Sequence, residues 1–177
     1  MFEVEVKARI GEETKRLIRA RCSFLREERH VDIYFDAPHR RLAESGEVLR
    51  LRQVNERAML TYKKGRADAD VRVREELEVS VESGDAVAKI LKKMGFRVLA
   101  EIRKRREVFE FNGCHVSLDD VEGLGEFLEV EVKSEDVSSA KKRILALLQE
   151  LGVSIAAVEK RPYIQLYLEK FGNAAQS

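Results

Sequence analysis

The stretch MFEVEVKAR, residues 1–9, changes side-chain character at every step. Phe2, Val4, Val6 and Ala8 form one series, and Glu3, Glu5, Lys7 and Arg9 form the other. Side chains alternate between the two faces of a strand, so this spacing predicts a strand with one apolar and one charged face. Comparable alternation runs through 47–54, 59–64, 71–81, 99–111, 115–121 and 126–133. Strands with two unlike faces belong to antiparallel sheet. Apolar residues at helical spacing predict helices over 12–22, 85–94 and 139–151, the last with a stripe of Ile144, Leu145, Leu147, Leu148 and Leu151. Pro162 suits the first turn of a fourth helix over 162–171. The first three helices are expected on the outside of the sheet, against Val4, Val6, Leu77, Val79, Leu128, Val130 and Val132.

The charged face carries the chemistry. Glu3, Glu5 and Lys7 share it with Arg50 and Arg52, Lys63, Arg74, Glu76 and Glu78, Lys104 and Arg106, Asp119, and Glu129 and Glu131. Residues two apart on a strand point the same way at a spacing of about 6.6 Å, so each pair forms adjacent teeth on one surface. A single pair reads as ordinary solvated surface. Recurrence on strand after strand, with helices covering the other face, predicts an α+β fold whose sheet closes into a barrel with a wet, charged interior. Arg and Lys bind phosphate oxygens. Clustered carboxylates offer hard oxygen ligands to Mg²⁺ or Mn²⁺, which bridge phosphates in turn.

Composition narrows the classes. The 177 residues are 44% hydrophobic and 37% charged, well above the ~25% charged share of ordinary domains. Lys plus Arg number 33 and Asp plus Glu 32, a net charge of +1, so no basic excess argues for nucleic acid or an acidic membrane. With two prolines and no Gly/Ser-rich stretch, the chain reads as one domain over 1–171 with a short tail at 172–177. Cys22 and Cys114 lack a C-x-x-C pattern, which disfavours a disulfide framework or a zinc site and fits a reducing cytoplasm. Residues 1–10 contain no signal-like apolar run, so the mature chain is expected to begin at Met1.

In order along the chain stand E-x-E-x-K at Glu3, Glu5 and Lys7, YFD at Tyr34 to Asp36, R-x-R at Arg50 and Arg52, and the T-Y-K lysine Lys63. E-x-E follows at Glu76 and Glu78, K-x-R at Lys104 and Arg106, and L-D-x-V-x-G-L-G-x-F-x-E-x-E from Leu118 to Glu131. This ordered set resembles the CYTH superfamily, the triphosphate tunnel metalloenzymes, which includes class IV adenylyl cyclases, thiamine triphosphatases and inorganic triphosphatases. The resemblance implies eight antiparallel strands closed into a tunnel. It implies Mg²⁺ or Mn²⁺ on Glu3, Glu5, Glu129 and Glu131, with Glu76, Glu78 and Asp119 in support. A triphosphate substrate, such as ATP, thiamine triphosphate or tripolyphosphate, would lie on Lys7, Arg50, Arg52, Lys63, Arg74, Lys104 and Arg106. Lys160 near the last helix would close one mouth, as basic residues there do in relatives, although solvated charge also accounts for it. Tyr34 and Lys63 correspond to a pair that prepares water in hydrolytic members, a lysine serving as base where neighbouring cations lower its pKa.

Segments 32–36 and 123–131 look most like the cyclase branch, which converts ATP to cyclic AMP and pyrophosphate. Hydrolysis of a terminal phosphate and a non-catalytic polyphosphate-binding module stand as alternatives, the protein being a monomer or a homodimer without nucleic-acid or membrane partner. His30 and His115 read as packing or surface residues without a role. Lys104 and Arg106 are read as facing inward. Since Phe109 and Phe111 share parity with Arg103 and Arg105, a β-bulge is expected near Glu107.

Overall fold

The computed structural model describes residues 2–66 and 70–172; of the tail expected at 172–177, all but Gly172 lies outside the described residues. Eight strands alternate with four helices. They are β1 (Phe2–Arg9), α1 (Glu12–Arg21), β2 (Ser23–Asp36), β3 (Glu47–Val54), β4 (Arg57–Arg66), β5 (Arg72–Val81), α2 (Gly84–Lys93), β6 (Arg97–Phe111), β7 (Cys114–Val121), β8 (Gly125–Ser134), α3 (Val137–Glu150) and α4 (Tyr163–Phe171). A short 3₁₀ turn covers Leu42–Ser45 between β2 and β3. Among the described residues no helix is long and apolar enough to cross a membrane.

The strands close into a barrel in the order β1-β5-β4-β3-β2-β6-β7-β8, every neighbouring pair antiparallel. β1 is the closing strand. It pairs with β8 from Phe2↔Ser134 to Arg9↔Phe127, and with β5 through Glu3↔Arg74 and Glu5↔Arg72. The β6–β7 hairpin turns at Asn112 and Gly113, both at positive φ (51° and 70°), the backbone demanded by a tight hairpin whose twist matches its strands.

The outer face of β1, β7 and β8 is apolar, and α3 covers it. Ala140, Ile144, Leu147 and Leu148 join Val4, Val6, Val116, Val130 and Val132 in one buried cluster, with Ile18 of α1 and Phe109 of β6. A second cluster lies where α4 meets the barrel: Tyr163, Ile164 and Leu166 with Ile102, Val121 and Phe127.

Two expectations are corrected here. Helices do not cover the outer face of β5: Leu77 and Val79 are 62% and 57% exposed, and α2 has no buried residue. There is also no bulge near Glu107, because β6–β7 pairing runs unbroken from Lys104↔Val121 to Phe111↔Cys114. The irregularity sits on the partner strand, between Phe24 and Arg26 of β2. Parity along β6 is therefore continuous: Lys104 and Arg106 face inward, while Arg103 and Arg105 are exposed on the outer face. Phe109 shares that outer face but lies in the helix-covered cluster, which is how one strand face can be charged at one end and apolar at the other.

Candidate active site

The barrel encloses a cavity of about 700 Å³ to which seven of the eight strands contribute charge or a titratable group. Glu3 and Glu5 come from β1, His30 and Tyr34 from β2, Arg50 and Arg52 from β3, and Lys63 from β4. Arg74, Glu76 and Glu78 come from β5, Lys104 and Arg106 from β6, and Glu129 and Glu131 from β8. The period-two pattern puts these side chains on one surface, and closure turns that surface inward.

On one wall the cations are tied down by buried carboxylates. Arg52 grips Asp32 through two bonds of 2.6 Å each. Arg106 grips Asp119 in the same way, 2.6 Å twice, and also donates to Glu129. Lys104 and the Tyr163 hydroxyl donate to Asp119 at 2.8 and 2.9 Å. Burial would raise the carboxyls of Asp119 and Glu129, but Arg106 and Lys104 outweigh it and hold both below the usual range. Burial, followed by the charge of Arg106, lowers the Lys104 ammonium to about 8.

The opposite wall is looser. Lys63 lies 2.7 Å from both oxygens of Glu3 and 3.5 Å from Glu76. Arg72 and Arg74 lie 2.6 and 3.3 Å from Glu5. Arg50 has only distant partners, Asp32 at 4.0 Å, Glu78 at 3.9 Å and the Thr61 hydroxyl at 3.4 Å. Buried nitrogens of Arg50 (Nε) and Arg72 (Nε and Nη1) have no hydrogen-bond partner within the protein. A buried donor left unmet costs about 1–3 kcal/mol, so these guanidinium groups are poised for an anion.

Glu5 and Glu131 are cross-strand partners, with Glu3 beside them on β1. Burial, then the charge of Glu3, pushes the Glu131 carboxyl up to about 7. Glu5 Oε1 is buried without a hydrogen bond, although Arg72 lies close. The donor set fits a hard divalent cation: oxygen ligands carrying negative charge that the surroundings do not neutralise. Among the described residues no three acidic, histidine or cysteine side chains form a ready-made cage. Glu3 is engaged by Lys63 and Glu129 by Arg106, so these carboxylates are apart from one another.

Other candidates fall outside the open cavity. Lys7 faces inward but is 1% exposed: it donates to the Arg161 carbonyl and lies 4.2 Å from the Tyr163 ring centre. Burial, then Arg72, lowers its ammonium to about 7. Asp119 is buried behind Tyr163, and Lys160 lines an adjoining cavity rather than the tunnel. Tyr34 lines both cavities, its phenol raised to about 12 by burial and then by Asp32. The groups touching Lys63 are carboxylates, not the cations that a base role would require.

Sequence reasoning missed Asp32, Arg72, His30 and Tyr163. Arg72 shares parity with Arg74 and could have been found by extending that face one step. Asp32 shares parity with Tyr34, but its pairing with Arg52 depends on register between strands. His30, given no role, lines the cavity, its Nε2 2.7 Å from Glu28.

The sequence profile of the CYTH domain matches residues 1–163. The chain belongs to the CYTH family. This CYTH protein is 34% identical over 172 residues to a Methanocaldococcus jannaschii protein named provisionally as an adenylate cyclase, covering 94% of this chain and 98% of that one. It is 30% identical over 142 residues to adenylate cyclase CyaB of Aeromonas hydrophila, covering 78% and 72%. A solved Pyrococcus horikoshii OT3 structure superposes on the CYTH barrel with a TM-score of 0.87 at 36% identity, covering 95% and 99%.

Proposed function

We propose that this CYTH protein is a metal-dependent enzyme acting on the triphosphate of ATP, in the manner of a class IV adenylyl cyclase. The observation that carries the reading is the closed cavity in which Arg50 and Arg72 keep unmet buried donors opposite a carboxylate group centred on Glu131. A triphosphate supplies acceptors to the first and, with a divalent cation, charge balance to the second. The relatives named as adenylate cyclases favour cyclisation.

In this reading Arg50, Arg72, Arg74 and Lys63 hold phosphoryl oxygens, and Arg52, Lys104 and Arg106 complete a positive wall fixed by Asp32 and Asp119. Glu3, Glu5 and Glu131 would hold Mg²⁺ or Mn²⁺, which when bound offsets phosphate charge. Glu129, held by Arg106, serves the cation wall. The chain's own contribution is positioning and preorganised charge. The ribose 3′-oxygen bonds to the α-phosphorus, the bond from that phosphorus to the bridging oxygen breaks, and pyrophosphate leaves while the 3′-proton is lost. Tyr34, protonated throughout the neutral range, acts as a hydrogen-bond donor to the phosphates.

The test is to incubate the protein with Mg²⁺ or Mn²⁺ and, separately, ATP, thiamine triphosphate and tripolyphosphate, identifying products by ³¹P NMR. Cyclic AMP with pyrophosphate is expected from ATP. A diphosphate with inorganic phosphate would reassign the protein to hydrolysis, and binding without turnover to a sensor.

A further inference from the structure

A second cavity, about 580 Å³, adjoins the charged one and differs from it in chemistry. Its walls are Leu42 and Ala43 of the 3₁₀ turn, Val71 and Val73 at the start of β5, and Ile164 and Leu168 of α4. The two cavities share Tyr34, Val48, Lys63, Arg72, Arg74 and Pro162. They therefore meet at the looser wall, where the arginines with unmet donors stand. At the other end the tunnel is lined by Arg26, Arg57, His115 and Arg143. Arg57 lies six residues before Lys63 on β4, which separates that mouth from the junction by about 20 Å.

We infer that the apolar cavity is the subsite for the organic group of the substrate, a flat heteroaromatic ring system of nucleobase class, with the triphosphate running from the shared residues into the charged tunnel. The inference rests on the proposed function and adds which end of the tunnel reads the substrate. Three arguments lead to it. Ligand sites are cavities of about 300–1,000 Å³ with mostly apolar walls and few polar groups, and this cavity has that size and character. A ring system gains by leaving water against Leu42, Val71, Ile164 and Leu168, whereas the far mouth would set it among three arginines and a histidine. Polar groups at the rim, Glu47, Gln165 and Glu169, provide acceptors for ring N–H or amino groups. The arrangement also predicts selectivity. Inorganic tripolyphosphate carries at least the charge of a nucleoside triphosphate, so the cationic walls alone would bind it as well or better; a preference for organic triphosphates has to come from the apolar cavity.

Calorimetric titration of wild type with ATP, thiamine triphosphate and tripolyphosphate, each with Mg²⁺, tests this alongside Ala43→Trp and Leu168→Gln. Ala43 is exposed on its turn and Leu168 is half-buried, and melting temperatures check that both variants fold. Wild type should bind ATP or thiamine triphosphate at least tenfold more tightly than tripolyphosphate. Each variant should weaken the preferred organic probe tenfold or more and leave tripolyphosphate within twofold. Equal affinity of wild type for all three probes, or variants that affect all three alike, would overturn the subsite while leaving the triphosphate reading in place. No binding of any probe by wild type would overturn that reading and the subsite together.

Discussion

Arg50 and Arg52 are two residues apart and face the same cavity, yet their surroundings give them different work. Arg52 is bound to Asp32 by two short, charge-assisted bonds deep in the wall, so Arg52→Ala strands a buried carboxylate. Breaking such a pair costs about 3–5 kcal/mol of stability. Arg50 holds nothing closer than 3.4 Å, so Arg50→Ala should change stability by less than about 1 kcal/mol. Its loss should instead remove about 2–4 kcal/mol of transition-state stabilisation, roughly 30- to 900-fold in kcat/KM. Melting curves and steady-state kinetics on both variants check the split; equal stability losses would contradict it. The residue types and facing of Arg50 and Arg52 were legible from parity in the sequence. Which of the two was committed was not, because Asp32 meets Arg52 only through the β2–β3 register.

His30 gives a pH dependence at the same scale. Its pKa falls from the ordinary 6.5 to about 3, by burial first and then by Arg52 of β3 and Lys104 and Arg106 of β6, against the pull of Glu28 on its own strand. The folded protein therefore keeps His30 neutral while the unfolded chain protonates it. Between about 6.5 and about 3 the unfolded state binds the extra proton, so this residue's contribution makes stability fall as pH falls, and the loss is complete below about 3. Urea unfolding of wild type and His30→Gln from pH 7 to pH 4 should show their difference growing in favour of the variant toward acid. A constant difference would place His30 in contact with water.

Among the elements, α2 and α3 had similar apolar spacing in sequence but have different standing in the fold. Ile144 of α3 is fully buried against β1 and β8, whereas Ile90 of α2 is 56% exposed. Ile144→Ala should cost about 2–5 kcal/mol and Ile90→Ala less than about 1, measured by urea unfolding. Periodicity shows that a helix has an apolar edge, not how completely that edge is covered, which is why Leu77 and Val79 were misread as helix-facing. β2 was the least legible strand. Its first half, Ser23 to Arg29, lacks alternation and contains the irregularity at Phe24/Arg26, so only the end at Tyr34 to Asp36 announced itself. The other strands were legible because each keeps strict parity on both faces.

For the whole molecule everything depends on closure. β1 joins β8 to β5 and so brings the Glu3/Glu5 pair beside Glu131 on one side and beside Arg72 and Arg74 on the other. Alternation in the sequence implied an inner and an outer surface, but not the strand order that decides which charges meet. The central claim is that this interior holds a triphosphate together with a divalent cation. The most direct measurement is anomalous diffraction from crystals soaked with Mn²⁺ and a non-reactive ATP analogue. The account predicts manganese inside the barrel beside Glu3, Glu5 and Glu131, with phosphate oxygens on Arg50, Arg72 and Arg74. Manganese and analogue bound on the outer surface, with the tunnel holding only water, would contradict it.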